Sequence, residues 1–338
     1  MNMLKGAIIG FGKIARTSHI DAYNSELISS KARITAAVET DDANRRKSGN
    51  EFPGIKFYSS VNELIEREKP DFIDITCPPK YHYDIMKKAI EKNINIICEK
   101  PFTLAPEEAK EIKELLINKN LRLIPCHQYK YSLVWMEFKK FIENKNMRSK
   151  PLLQFNIFRT EADPGLKDLG NYWRTRPQKE GGGILIDTGI HYLYLINWML
   201  GLPEKVYCHL TNIKHSDYKC EDTAIINYIS KKGIAQVTLT WGADKRHNDA
   251  RIICAEGSLS YEKGEKISVN INGMTDYITV PDASDKKHYA SLYVNMFDEF
   301  INSIINNENR PEWIEEAFQS VMLLNNCVLS SELDSVII

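Results

Sequence analysis

No run of this 338-residue chain approaches the roughly 18–20 consecutive apolar residues that a membrane-spanning helix needs, which argues against a membrane protein of helical type. A surplus of positive charge is missing as well. The 44 Lys+Arg and 45 Asp+Glu leave a net charge of −1, whereas a general nucleic-acid binder sets many cations against phosphates. Any anionic ligand must be held by local charge. Cysteine motifs are also lacking: Cys77, Cys98, Cys126, Cys208, Cys220, Cys254 and Cys327 are odd in number, scattered and never spaced C-x-x-C. That excludes a disulfide framework and a zinc cage as working readings, so no metal is expected. Nor does Met1-Asn2-Met3-Leu4-Lys5 open a secretory leader, because it runs straight into an apolar segment and a glycine motif. The expectation is a cytoplasmic protein in reducing surroundings, with no nucleic-acid or membrane partner.

What is present is ordinary globular material, 43% hydrophobic and 26% charged. Its length suits two domains. Over residues 1–125, short β-branched runs (6–10, 33–38, 71–76, 95–98, 121–124) alternate with stretches of helical period around 61–65, 82–92 and 106–118. This alternation predicts a parallel sheet covered on both faces. Residues 126–338 read differently. Strand-like runs follow one another at 206–213, 223–230, 234–241, 250–255, 258–263 and 266–271, with turn signals at Lys231-Lys232-Gly233 and Glu256-Gly257. The fold class is therefore α/β: a doubly wound Rossmann sheet, then an α+β domain with a large open, mostly antiparallel sheet. Helical patterns at 293–306 and 314–331 close the chain and could pack back on the first domain.

Gly10-Phe11-Gly12-Lys13-Ile14-Ala15 directly follows the first strand with the spacing G-x-G-x-x-A. The first glycine permits the tight turn, the second lets backbone approach a pyrophosphate, and the alanine lets helix pack on strand. Phosphate oxygens would then meet the exposed N–H groups of the helix start. Glu39 ends the second strand, where a carboxylate can accept both ribose hydroxyls and repel a 2′-phosphate. NAD is accordingly favoured over NADP, with Arg45 and Arg46 as the residues that would favour the latter. Thr76-Cys77-Pro78 ends the third strand at the same edge of the sheet, with His82 just beyond as a further nucleotide contact. Glu99-Lys100-Pro101 ends the fourth; a lysine there can hold a substrate oxygen during hydride transfer, or be a plain surface lysine. In the second half, Gly181-Gly182-Gly183 precedes Asp187 and His191, four residues apart and on one face of a helix already begun. An imidazole can take a hydroxyl proton near neutrality, with the carboxylate orienting substrate or ring; an N-cap with a packed histidine is the competing reading.

Taken together, Gly10-x-Gly12-x-x-Ala15, Glu99-Lys100-Pro101 and Gly182-Gly183-x-x-x-Asp187-x-Gly189-x-His191 resemble, in order and spacing, the Gfo/Idh/MocA oxidoreductases. The resemblance extends to the terminal helices with Pro311, Glu315, Glu316 and Ala317. It implies NAD(P)-dependent oxidation or reduction of a sugar-like polyol, and assembly as homodimers or homotetramers through the open sheet. Lys100 would polarise the reacting oxygen, His191 would shuttle its proton, and Asp187 would bind a substrate hydroxyl. Two positions depart from the family pattern: Tyr194 stands where many relatives carry an acid, and Lys130, in the segment with Gln128, where arginine is frequent. Residues 171–179, with Trp173, Arg174 and Arg176, should overhang the pocket, where an aromatic face suits a sugar ring and the arginines suit a carboxylate or phosphate, or else form an interface loop, an equal alternative. The expected substrate is a sugar or nucleotide sugar. The alternatives are a nucleotide-binding regulator without turnover, or a family dehydrogenase acting on a non-sugar substrate.

Overall fold

A strand covered by helices on both faces has no polar side to show, and Phe72–Ile75 is buried at every position. It lies in a sheet of six strands, β1 Leu4–Ile9, β2 Ala32–Val38, β3 Lys56–Tyr58, β4 Phe72–Ile75, β5 Asn95–Cys98 and β6 Leu123–Pro125. Their order is β3-β2-β1-β4-β5-β6, and every neighbouring pair is parallel. The winding reverses between β1 and β4, the place where such sheets open a crevice beyond their strand ends. This computed structural model describes residues 3–165, 173–262, 264–281 and 289–337. The chain forms two units, the first holding residues up to Cys126 together with Tyr289–Val321. Its core joins Ile73, Ile75, Ile96, Met86 and Leu116 to Ile314, Ala317 and Val321 from near the far end of the chain.

Among the elements of this unit that periodicity does not foresee are a strand and a helix. Strand β3 has only three residues, too few to display a period of two. The helix Asp42–Glu51 carries almost no apolar stripe, and forms under a cap instead: the Asp41 carboxylate accepts the Asn44 N–H at 2.7 Å.

The second unit is built on β7 Leu152–Phe158, β8 Pro203–Thr211, β9 Thr223–Ser230, β10 Ile234–Thr240, β11 His247–Cys254, β12 Gly257–Glu262, β13 Lys266–Ile271 and β14 Met274–Thr279. The sheet order is β14-β13-β12-β11-β7-β10-β9-β8. All its pairs are antiparallel except β7 with β10. Strand β7 was also unforeseen, although Leu153, Phe155 and Ile157 alternate with polar residues and are buried. One face of the sheet packs on the helices Leu133–Ile142 and Ile190–Leu200 through Phe155, Val237, Leu193 and Phe138. The opposite face carries an amide ladder: Gln154 donates to Gln236 and Gln236 to Asn227, each at 3.1 Å. Ile225, Ile229, Ile234 and Ile253 are exposed on β9, β10 and β11. The last helix, Pro311–Glu332, lends Ile314 to Val321 to the first core and Leu323 to Cys327 to the second. Among the described residues no helix is long and apolar enough to cross a membrane.

Candidate active site

The glycine turn at the end of β1 is shaped by two distinct demands. Gly10 has φ +95°, and a Cβ built on it would sit 2.7 Å from the Cys77 side chain, so any other residue there is both strained and crowded. Around Gly12 a Cβ would meet nothing within 4 Å. That open side is where a diphosphate can come against backbone N–H groups, at the start of the helical segment containing a π turn at Ala15–His19. The Phe11 ring is buried against Phe52 and Phe57, so of Phe11 only the backbone faces a nucleotide. Lys13 and Ile14 are half-buried on the first turn. At the end of β2, Glu39 is 9% exposed and held by the Asp41 N–H at 3.0 Å and the Asn44 side-chain amide. Its carboxylate keeps acceptor capacity beyond those two bonds. Arg45 is turned to the Glu39 carbonyl and the Asp42 carboxylate. The turn, the helix start and the placed carboxylate fit an adenine dinucleotide with free ribose hydroxyls.

Thr76 closes β4 against the same turn, donating through its hydroxyl to the Gly10 carbonyl. Cys77 and Pro78 follow, and then His82, which is fully buried. Its ring nitrogens lie 2.9 Å from the Pro101 carbonyl and 2.8 Å from that of Cys77. Burial holds the His82 pKa below its ordinary value, against the pull of those carbonyls. His82 thus ties the β4 turn to the β5 turn instead of presenting its ring to a ligand. Lys100 is half-buried, and its backbone N–H donates to the Glu99 carboxylate at 3.2 Å. The Lys100–Pro101 peptide is cis.

Behind Glu99 lies a cluster that sequence reading did not single out. His19 has no exposure; its Nδ1 is 2.7 Å from Asp74 and its Nε2 3.2 Å from Glu99. Tyr23 donates to Asp74 at 3.0 Å and Tyr293 to Glu99 at 2.9 Å. A ring flanked by two carboxylates can donate to both only as imidazolium. Burial opposes that charge, but Asp74 and then Glu99 outweigh it, and the His19 pKa is raised to about 9. Glu99 answers in kind: burial alone would raise it, and the bond and charge of His19, with the charge of Lys100, hold it below its ordinary value. Cys126 brings its sulfur to within 4.8 Å of the His19 and Glu99 ligand atoms, but both ring nitrogens are committed to carboxylates. A signal was available: Asp74 is an acid inside an apolar strand, and such a group needs a partner.

In the second unit, each member of the triple glycine answers a separate constraint. Gly181 has φ +95°, a Cβ on Gly182 would overlap the Arg176 carbonyl at 1.8 Å, and Gly183 has φ +106° with the Glu221 carboxylate 2.2 Å from its Cβ position. Glu221 is buried and accepts from the Leu185 N–H at 3.0 Å and from Gln178 at 2.8 Å. Burial pushes its pKa up, against those bonds. Gly183→Ala is therefore expected to cost about 2–4 kcal/mol from a strained φ and an overlapped carboxylate. Urea denaturation reads this directly, and an unchanged midpoint would contradict it.

The helix then opens with a second π turn, Leu185–Gly189, a wider geometry often met at functional positions. Asp187 on this turn receives the Arg174 guanidinium at 2.9 Å, and Arg174 stacks over the Trp173 ring at 4.4 Å. The Arg174 charge expected to grip a substrate anion is thus already matched by Asp187. Asn171 and Tyr172 lie outside the described residues. His191, on the first turn of Ile190–Leu200, is 6% exposed; its Nδ1 is 3.0 Å from the Tyr194 hydroxyl and its ring stacks on Tyr129 at 4.3 Å. Gln128 is 2% exposed, and its side-chain carbonyl oxygen has no hydrogen-bond partner among the described residues. Lys130 points its ammonium over Trp198, 5.7 Å from the ring centre.

Residues 4–127 match the sequence profile described as "Oxidoreductase family, NAD-binding Rossmann fold", and residues 154–260 that of the GFO/IDH/MocA C-terminal domain. An uncharacterized oxidoreductase of Schizosaccharomyces pombe is 28% identical over 211 residues, 62% of this chain and 55% of that protein. D-glucoside 3-dehydrogenase of Escherichia coli is 24% identical over 202 residues, 59% of this chain and 55% of that enzyme. The chain thus spans about half the length of these two relatives. An Agrobacterium radiobacter oxidoreductase, crystallised with NAD+, L-tartaric acid and magnesium, superposes with a TM-score of 0.87 at 16% identity, covering 99% of this chain and 98% of that one.

Proposed function

Because the chain belongs to the Gfo/Idh/MocA oxidoreductase family and carries its NAD-binding Rossmann domain, we propose that it interconverts a secondary alcohol and the matching ketone on a sugar or nucleotide sugar. The observation that carries this reading is the run of three strand ends, adjacent in the sheet order β1-β4-β5: the Gly10–Gly12 turn, Thr76-Cys77-Pro78, and Glu99-Lys100. A lysine ammonium beside a dinucleotide turn is the equipment for holding an oxygen whose carbon changes oxidation state. Oxidising an alcohol removes a hydride and a proton; bound NAD supplies the hydride acceptor. The chain's own residues do the rest. Backbone N–H groups after Gly12 bind diphosphate, Glu39 takes the ribose hydroxyls, Lys100 holds the reacting oxygen, and His191 takes the proton. Asp187, with Arg174, Gln128, Lys130 and Trp173, binds the remaining hydroxyls. We assign the open face around Ile225, Ile229, Ile234 and Ile253 to association of copies as a homodimer or homotetramer.

The first test is NADH and NADPH fluorescence titration, followed by a screen of free, acidic and nucleotide-linked sugars with absorbance at the reduced-cofactor band. Turnover of any sugar supports the reading. A cofactor held tightly with no turnover across the panel would instead favour the regulator, and turnover confined to non-sugar carbonyls would favour the other rival. Glu39→Ala should weaken NADH by about tenfold or more, the worth of charge-assisted hydrogen bonds, and leave NADPH no weaker. Unchanged NADH affinity would remove Glu39 from the ribose site.

A further inference from the structure

We infer that Tyr194 is a positioning residue for His191: its hydroxyl engages Nδ1 and holds the ring in the orientation from which it exchanges the substrate proton. This rests on the reading of His191 as proton shuttle. The Tyr194 hydroxyl lies 3.0 Å from His191 Nδ1 and also accepts the backbone N–H of Tyr129 at 3.1 Å. A backbone N–H can only donate, so one lone pair of the phenol oxygen is fixed and the hydroxyl cannot wander. Both rings are clamped by stacking. Tyr194 lies on His127 at 4.0 Å and 16°, and His191 on Tyr129 at 4.3 Å and 17°. The four side chains come from two short stretches, Tyr129 in the turn Gln128–Tyr131 with His127 just before it, and His191 and Tyr194 on Ile190–Leu200.

The tautomer follows from the role. A neutral imidazole that accepts a proton at Nε2 must carry its own hydrogen on Nδ1, and that N–H then donates to the phenol oxygen. The bond persists when the ring becomes imidazolium, so the partner keeps the ring oriented through the whole transfer. A phenol differs from a carboxylate in one respect: it is neutral, and stabilises the charged ring through a dipole alone. Where many relatives place an acid, this chain sets a neutral hydroxyl against the ring. Among the described residues, the titratable groups around the ring include Tyr129, which stacks on it, His127, which stacks on Tyr194, Tyr192, which meets Tyr129 edge-on at 6.3 Å, and Asp187 on the preceding turn.

The test compares Tyr194→Phe, Tyr194→Glu and His191→Asn with the unaltered protein over pH 5.5–10, on the sugar identified by the screen. For Tyr194→Phe, kcat should fall about 10- to 100-fold, within the span of general acid–base catalysis, with KM and NADH affinity within threefold. The acidic limb of the kcat profile should move to lower pH, because the charged ring has lost an acceptor. Tyr194→Glu should move that limb the other way. A purely architectural tyrosine would lower the active fraction without displacing either limb. If both Tyr194 variants keep the original profile while His191→Asn is slow, this inference is wrong and the shuttle stands. If His191→Asn turns over normally, the shuttle itself is wrong.

Discussion

Lys100→Met should lower turnover of the identified sugar by about 10³-fold or more, with NADH bound as tightly as before. The side chain is half-buried at the end of β5, on a backbone anchored by its own N–H to the Glu99 carboxylate. Methionine keeps most of the length and the apolar character of the stem and removes the ammonium with its charge and donors. An ammonium that meets an oxygen gaining negative character contributes most in the transition state, so its loss should appear in kcat more than in cofactor affinity. Stopped-flow turnover alongside fluorescence titration separates the two. A rate within tenfold of the original protein would show that the oxygen is held elsewhere.

Replacing His19 should damage stability on a comparable scale. His19→Leu leaves Asp74 and Glu99 buried without their shared cation, and breaking a buried ion network in this way costs about 3–5 kcal/mol. The pH dependence gives a sharper signature. A ring whose pKa rises from 6.5 unfolded to about 9 folded contributes its full stabilisation below pH 6.5, and loses it as pH climbs toward 9. At 1.36 kcal/mol per unit, that contribution is about 3 kcal/mol. Urea midpoints of the original protein should therefore fall between pH 6.5 and 9, and those of the leucine variant should lack this fall. Parallel curves for the two would mean that His19 is neutral in its cluster.

The contrast between His19 and Lys100 marks where sequence reading reaches. Lys100 belongs to a contiguous tripeptide at a strand end, and the Gly10–Ala15 turn and Asp187–His191 pair are likewise local, so spacing alone made them visible. Strand–helix alternation over the first 125 residues carried the parallel sheet for the same reason. His19 acquires its meaning from Asp74, 55 residues on, and Glu99, 80 residues on. Tyr293 joins from 194 residues away. Each looks like a packing residue until the sheet brings them together. Tyr194 was noticed only as a departure from the usual acid; its partnership with Tyr129 lies 65 residues back along the chain. The triple glycine was legible as a loop, but why Gly182 and Gly183 exclude a side chain depends on Arg176 and Glu221, which spacing does not reveal.

The return of Tyr289–Val321 to the first unit bears on synthesis in the cell. The Gly10–Gly12 turn leaves the ribosome roughly 280–310 residues ahead of the hydroxyl of Tyr293 and the apolar side chains Ile314, Ala317 and Val321. At roughly 5–20 residues per second, the nascent Rossmann sheet waits on the order of ten seconds or more for its last wall. During that interval the core around Ile75 and Ile96 lacks Ile314, Ala317 and Val321 and is open to chaperones, and a nonsense codon anywhere before residue 289 leaves it so permanently.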